Sequence, residues 1–271
     1  MKGYYANKKF NKRVVVSGKV VELYEYEKPV IKGTGKRRVG RAGFGVTTEN
    51  TKERNRQKTA FRACRLVRNT INANPELNKF LTLTFGVNET NLNIARYEFD
   101  KFVKRLKTYF ANFKYIEVVE FQKRGAIHFH LLCNLPYIEI GYLSKIWGNG
   151  FVKINRIDNI DNVGAYITKY MTKDNIDERL VGRKCYSMSK GLKKPKEYTK
   201  EQDIDEILEN IDCVKRMYTN EFECEYYGRV RYTQIICANI PPKPDERFRR
   251  WLSRFKGRLT LMPDSIPCPF N

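Results

Sequence analysis

The chain's two histidines are separated by a single residue, His128-Phe129-His130. On a β-strand, residues two apart project to one face. Both imidazoles could therefore address one ion, but two imidazoles rarely hold a catalytic cation, and a third ligand has to come from nearby. Gln122-Lys123-Arg124-Gly125-Ala126 separates two apolar runs. A three-residue hairpin loop is favoured when its last residue is Gly, which takes φ > 0 and forms a bulge. Lys123-Arg124-Gly125 fits that loop. The register then sets Gln122 opposite Ala126, Glu120 opposite His128 and Val118 opposite His130, so Glu120 shares the histidines' face. A two-residue loop would turn Glu120 to the other face, because a one-residue slip inverts a strand. Glu117 has the wrong parity in the favoured register and ranks second. Two imidazoles and a carboxylate leave coordination positions open, a set that suits Mn²⁺ and accepts Mg²⁺. It lacks the thiolates of structural zinc. An ion so held could take two phosphate oxygens and polarise the phosphorus as a Lewis acid. His-x-His alone is equally compatible with ordinary strand residues; the acid at the matching register is what favours a metal.

A second constellation follows, Tyr166-x-x-Lys169-Tyr170-x-x-Lys173. On a helix the tyrosines, i and i+4, lie on one face, and the lysines form an adjacent stripe. A phenol with a reference pKa of about 10 is a weak nucleophile. A neighbouring ammonium or metal favours phenolate. Attack on a backbone phosphate would expel a 3′-hydroxyl and leave a 5′-phosphotyrosine. That linkage keeps the bond energy, so a free 3′-OH can reverse the step without ATP. Without the histidines, the same pattern reads as a tyrosine pair packed on a sheet edge with solvated lysines.

These groups need elements to position them. Residues 13–27 read as a strand or hairpin turning at Ser17-Gly18. Residues 51–73 carry an Ala60, Cys64, Val67, Ile71 stripe at helical spacing, with Arg54, Lys58, Arg62 and Arg65 on another face. Asn74-Pro75 ends that helix. Phe80–Phe85 is a strand. Residues 91–110 form a helix on Leu92, Ala95, Phe99, Phe102, Val103, Leu106 and Phe110. Strands are expected at Tyr115–Phe121, Ala126–Cys133 and Phe151–Ile157, and helices at Ile140–Trp147 and Val163–Lys173, the last capped by Asp161 or Asn162. This β-α-β-β-α-β-α order predicts an α+β fold, an antiparallel sheet with helices packed on it. Further on, residues 185–195 read as a strand and basic turn, 201–217 as an acidic amphipathic helix, 222–227 and 229–237 as strands, Pro241–Pro244 as a linker, and 245–258 as a short basic helix. The expected domains are N-terminal strands and a basic Gly-rich loop (1–50), a core with its leading basic helix (51–200) and a C-terminal extension (201–271).

Composition narrows the partner. The chain has 52 Lys+Arg against 30 Asp+Glu, a formal charge of +22. Such an excess points to a polyanion, most plausibly nucleic acid. No apolar run approaches the roughly 18 residues of a membrane span, and the first residues lack a signal peptide's apolar centre. The seven cysteines are scattered without a Cys-x-x-Cys pair, which argues against a disulfide framework and a zinc ribbon, and for a reducing, cytoplasmic setting. Gly33-Thr-Gly35-Lys36 lacks the spacing of a phosphate loop, so no nucleotide cofactor is expected.

Taken together, these residues resemble the HUH endonuclease superfamily, specifically the replication initiators (Rep proteins) of rolling-circle plasmids and single-stranded DNA phages. Phe80-Leu-Thr-Leu-Thr-Phe85 resembles the family's first motif, Glu120-x₇-His128-Phe-His130 its metal motif, and Tyr166-x-x-Lys169-Tyr170-x-x-Lys173 its tyrosine motif. Tyr186-x-x-Ser-Lys-Gly-Leu-Lys-Lys-Pro195 is similar to the bacterial and phage branch. The resemblance spans roughly residues 78–195. It implies a ferredoxin- or RRM-like core with the metal ligands on a central hairpin, and nicking of a single-stranded or hairpin origin. It also implies a covalent 5′ adduct, a 3′-OH primer and later religation. Tyr166 with Lys169 and Tyr170 with Lys173 both fit the nucleophile pattern. Missing a phosphate loop, such a protein would rely on a host helicase. Lys123 and Arg124 would grip the strand, with Arg183, Lys184, Lys190, Lys193 and Lys194 as a second basic group and Arg247, Arg249, Arg250, Arg254, Lys256 and Arg258 as a third. Tyr142, Trp147 and Phe151 are candidates for stacking unpaired bases, though more often such residues are core. The alternatives are a relaxase or transposase of the same superfamily, or a non-catalytic RRM-like binding module. Relaxases usually have three histidines, and the binding module would need aromatics where Glu120, His128 and His130 are expected.

Overall fold

A computed structural model describes residues 8–32, 49–157, 162–172, 183–211, 214–241 and 244. The fold is α+β, with two five-stranded antiparallel sheets and five helices among the described residues. The first sheet has the order β8-β1-β2-β10-β9, the second β6-β3-β5-β4-β7.

The second sheet carries the histidines. Its strands are β3 (Lys79–Phe85), β4 (Tyr115–Phe121), β5 (Ile127–Cys133), β6 (Gly150–Arg156) and β7 (Tyr186–Met188). Alternation sorts its side chains. Leu81, Leu83, Phe85, Val119, Phe129 and Leu131 face helices α2 (Leu92–Tyr109) and α3 (Ile140–Trp147), and join Phe99, Phe102, Leu106, Leu143 and Trp147 in the main core. Asn91 starts α2 by accepting from the Asn93 and Ile94 amides, which satisfies donors that helix geometry leaves open. On the other face, Phe80, Ile116, Val118 and Leu132 pack under α1 (Glu49–Asn72) and α4 (Val163–Thr172), against Val67, Ile71 and Ile167.

The first sheet joins the two ends of the described chain. The hairpin β1 (Lys8–Ser17) and β2 (Val20–Lys32) turns at Gly18, at φ 60°. The hairpin β9 (Val214–Cys224) and β10 (Gly228–Cys237) pairs onto β2, Tyr232 opposite Tyr24. The short β8 (Lys196–Tyr198) adds to β1. Helix α5 (Glu201–Glu209) packs Ile204 and Ile207 on one face, against Val14, Val21 and Ile235. The other face meets α1, where buried Glu22 accepts from Arg68 (2.5 Å), Asn69 (2.8 Å) and the Tyr232 hydroxyl (2.8 Å). Helix α1 is thus shared between the sheets, apolar toward one and polar toward the other.

Two expectations are corrected. The amphipathic helix expected over 201–217 ends at Glu209, and Val214–Met217 belong to β9, whose strand starts well before residue 222. Pairing along the whole of β10 supplies hydrogen bonds that the local helical pattern could not anticipate. Trp147 is fully buried beside Phe85 and Phe102 and is a core residue. The loop at 33–45, Asp161, and the basic segment 245–258 lie outside the described residues.

Candidate metal centre

The β4–β5 hairpin has the register expected from its turn. Glu120 pairs with His128 and Val118 with His130. The Gln122 amide donates to the Ala126 carbonyl (2.8 Å), the Gly125 amide donates to the Gln122 carbonyl (2.7 Å), and Gly125 sits at φ 89°. A side chain at residue 125 would be strained in that left-handed region, so the glycine is what holds the register. Across the sheet, Thr82 pairs with His130 and Thr84 with His128. Beyond them β6 continues the rows with Lys153 and Phe151.

Glu120, His128 and His130 form a group that could hold a metal ion, with their ligand atoms within 4.8 Å of one another. Bonds of about 2.0–2.2 Å to a small divalent ion would draw them together by side-chain rotation alone. His130 Nε2 lies 2.6 Å from Glu120 Oε2, and its Nδ1 lies 3.2 Å from the Thr82 hydroxyl. With Thr82 taking the Nδ1 proton, Nε2 presents its lone pair toward Glu120, the kind of outer partner that orients metal-binding imidazoles. His128 Nδ1 lies 3.4 Å from the Gln122 amide nitrogen. Its Nε2 is buried and has no hydrogen-bond partner among the described residues. An orphaned buried ring nitrogen is costly unless something binds it, and the donor set fits a hard or borderline divalent cation. Burial and the neighbouring His130 lower the His128 pKa below its ordinary 6.5, so the ring is held neutral, the ligating form.

Glu117 is on the opposite face, as its parity requires. It is fully buried, paired with Arg96 (2.5 Å) and accepting from the Ser187 hydroxyl (2.8 Å). Burial raises its pKa. It anchors α2 and β7 to the sheet.

Helix α4 reaches the same face as the histidines. Asn162 caps it, its side-chain oxygen accepting from the Ala165 amide (3.0 Å) and from Asn72 (2.9 Å). The Gly164 amide donates to Asn72 (2.9 Å). Gly164 lies directly on the Arg68 backbone of α1, where a β-carbon would overlap the carbonyl. This close seat sends Tyr166 over the sheet. Its ring meets Phe80 edge-on at 6.0 Å, and Phe80 stacks on His130 at 5.6 Å with ring planes 3° apart. Tyr166 is thus one aromatic ring away from a metal ligand, and it remains accessible at 36 % exposure. Lys173 lies outside the described residues, as do the side chains of Lys169 and Tyr170; helical spacing alone sets Tyr170 one turn beyond Tyr166.

The basic residues do not gather at one place. Lys123 and Arg124 are exposed at the hairpin tip, with Arg124 donating to Gln122 (3.2 Å). Arg183 bonds Asn93 at the start of α2, on the far side of the sheet (2.9 Å). Lys190 follows β7 at the end of β4 away from the tip, where the Ser189 amide donates to the Tyr115 carbonyl. The backbone of Lys193 is tied to Asn74 after α1, and Lys194 is exposed next to it. Sequence reasoning missed Phe80, Thr82 and Gln122 as partners of the histidines. Gln122 could have been inferred from the hairpin register, but Phe80 and Thr82 depend on β3 pairing with β5, which no local pattern carries.

Residues 78–175 match a family model described as Replication-associated protein ORF2. The matched segment runs from β3 to α4 and contains all three candidate ligands and Tyr166. No curated protein and no solved structure gives a significant match to the chain. No helix among the described residues is long and apolar enough to cross a membrane.

Proposed function

We propose that this protein initiates replication by nicking single-stranded origin DNA and joining itself to the new 5′ end, as an HUH-type endonuclease. The observation that carries the reading is the stack of Tyr166, Phe80 and His130, which brings a phenol beside a two-histidine, one-carboxylate group. The replication-associated family match and the charge of +22 support a DNA partner.

Glu120, His128 and His130 would hold Mn²⁺ or Mg²⁺, which when bound supplies Lewis-acid polarisation of the scissile phosphate. Tyr166 is the nucleophile nearest that group. Its oxygen forms the new bond to phosphorus, and the bond from phosphorus to the 3′ oxygen breaks. The 3′ oxygen keeps the electron pair and takes up a proton, while the phenolic proton passes to solvent. Lys169 and Lys173, by their spacing, favour the phenolate. Tyr170, one turn on, serves as the second nucleophile in the later transfer that releases a circle. Lys123 and Arg124 grip the strand at the hairpin, and Arg183, Lys190, Lys193 and Lys194 hold flanking DNA. A host helicase opens the duplex, since this sequence encodes no phosphate loop.

The test is a denaturing gel of the protein with a labelled origin strand and Mn²⁺. Wild type should give a band at the mass of protein plus DNA. Tyr166→Phe with Tyr170→Phe should abolish that band and leave strand binding largely intact. A double variant that still forms the adduct would overturn the nucleophile assignment, and the two single variants identify which tyrosine acts first.

A further inference from the structure

We infer that Phe151 and Lys153 on β6 form a subsite for single-stranded DNA, Phe151 stacking an unpaired base and Lys153 meeting a phosphate. The inference rests on the reading above and extends it to how the strand is held. Phe151 pairs with Thr84 and Thr84 with His128, so the row Phe151, Thr84, His128, Glu120 runs across one sheet face. The next row is Lys153, Thr82, His130, Val118. With strands about 4.8 Å apart, Phe151 stands roughly 10 Å from His128 on the ligand-bearing face. It is 73 % exposed, whereas its neighbours in β6, Val152 and Ile154, point the other way into the main core. A phenylalanine so exposed on a rigid strand is unusual for stability and useful for stacking.

The ring is also held in place from below. Gly148 ends α3 at φ 70°, its amide donating to the Ser144 carbonyl (2.8 Å). The Asn149 carbonyl accepts from the Gly86 amide (2.8 Å), and Gly150 lies so close to Gly86 and Thr84 that a β-carbon there would overlap their backbone. Trp147 donates to the Thr84 carbonyl (3.1 Å), tying the end of α3 to the same strand. Charge selects the occupant: exposed Lys153 on this face and Lys123 and Arg124 at the adjoining tip favour a polyanion over an apolar peptide. Tyr166 lies toward the Phe80 end of β3 and Phe151 toward the other, so the ligand group falls between them. A strand reaching both would pass its backbone over the ligands.

The experiment is anisotropy titration of the full chain with a fluorescein-labelled dT 15-mer in EDTA, which needs no cleavage. Phe151→Ala should weaken binding about 5- to 150-fold, the effect of losing one stacked base. Phe151→Trp should retain affinity and show quenching of the added indole on binding. Lys153→Gln should lower the slope of log affinity against log salt by about 0.7. The inference is overturned if Phe151→Ala binds like wild type, if Phe151→Leu restores affinity as well as Trp, or if the Lys153 variant keeps its salt slope. Unchanged DNA affinity with loss of a dimer in sedimentation would assign the face to self-association and likewise overturn it. Failure to form an adduct with intact loss at Phe151→Ala would sink the nicking reading and leave this subsite standing.

Discussion

At the scale of single residues, the decisive atom is His128 Nε2, buried and unpartnered beside a carboxylate and a second imidazole. Its neutral form is favoured because desolvation and His130 both oppose a proton there. The folded pKa lies below 6.5, the value of the free ring. Proton competition with a metal is therefore weak above pH 6.5. Mn²⁺ affinity measured by calorimetry should be nearly flat from pH 8 to about 6.5 and fall by up to tenfold per pH unit well below it. The sign for folding is the same: the contribution to stability is present above 6.5 and lost as pH drops through the lowered folded value. His128→Gln should remove this acid-side loss in the metal-free protein and abolish Mn²⁺ binding. If only stability changed and metal affinity did not, the ring would be a structural residue.

At the scale of elements, the hairpin and α4 are placed by different means. The hairpin is set by its own turn, whereas α4 is set by what it rests on. Its first turn is anchored by Asn162 and Asn72, and its approach to α1 needs a residue without a side chain at 164. Gly164→Ala would force α4 away from Arg68 and cost about 1–3 kcal/mol, as overpacking does. Because Tyr166 follows two residues later, the same change should slow adduct formation by more than it weakens Mn²⁺ binding. Thermal melts and single-turnover adduct yields would separate the two effects. Equal losses in both would mean that α4 does not position the phenol independently of the metal ligands.

On the scale of the whole molecule, the helix beneath α4 is itself held by the first sheet. Glu22 on β2, fully buried, gathers Arg68 and Asn69 from α1 and Tyr232 from β10. Tyr232 receives a bond from Gln234 (3.0 Å), and Gln234 accepts one from Asn162 (3.3 Å), which closes a polar chain from the first sheet to the cap of the tyrosine helix. Glu22→Ala should destabilise the protein by about 3–5 kcal/mol, because it leaves buried partners uncompensated. Denaturant melts should show the Tyr232→Phe loss shrinking in that background, since both act through one network. Strict additivity would mean that the contacts work separately.

Much of the site was legible from local rules. Side-chain parity on a strand and the φ > 0 demand of Gly125 act over a few residues, so Glu120, His128 and His130 could be set on one face from the sequence alone. Helical periodicity likewise located α2, α3 and α4, whose apolar stripes must face a core. The remainder was decided in three dimensions. Which strand flanks the hairpin put Phe80 against His130 and Phe151 beside the ligands, and β2 pairing with β10 united segments some two hundred residues apart. That same pairing, with β10 along β9, cut α5 short at Glu209. Strand partnership is chosen by burial and hydrogen bonding across distant segments, and no window of neighbouring residues contains that choice.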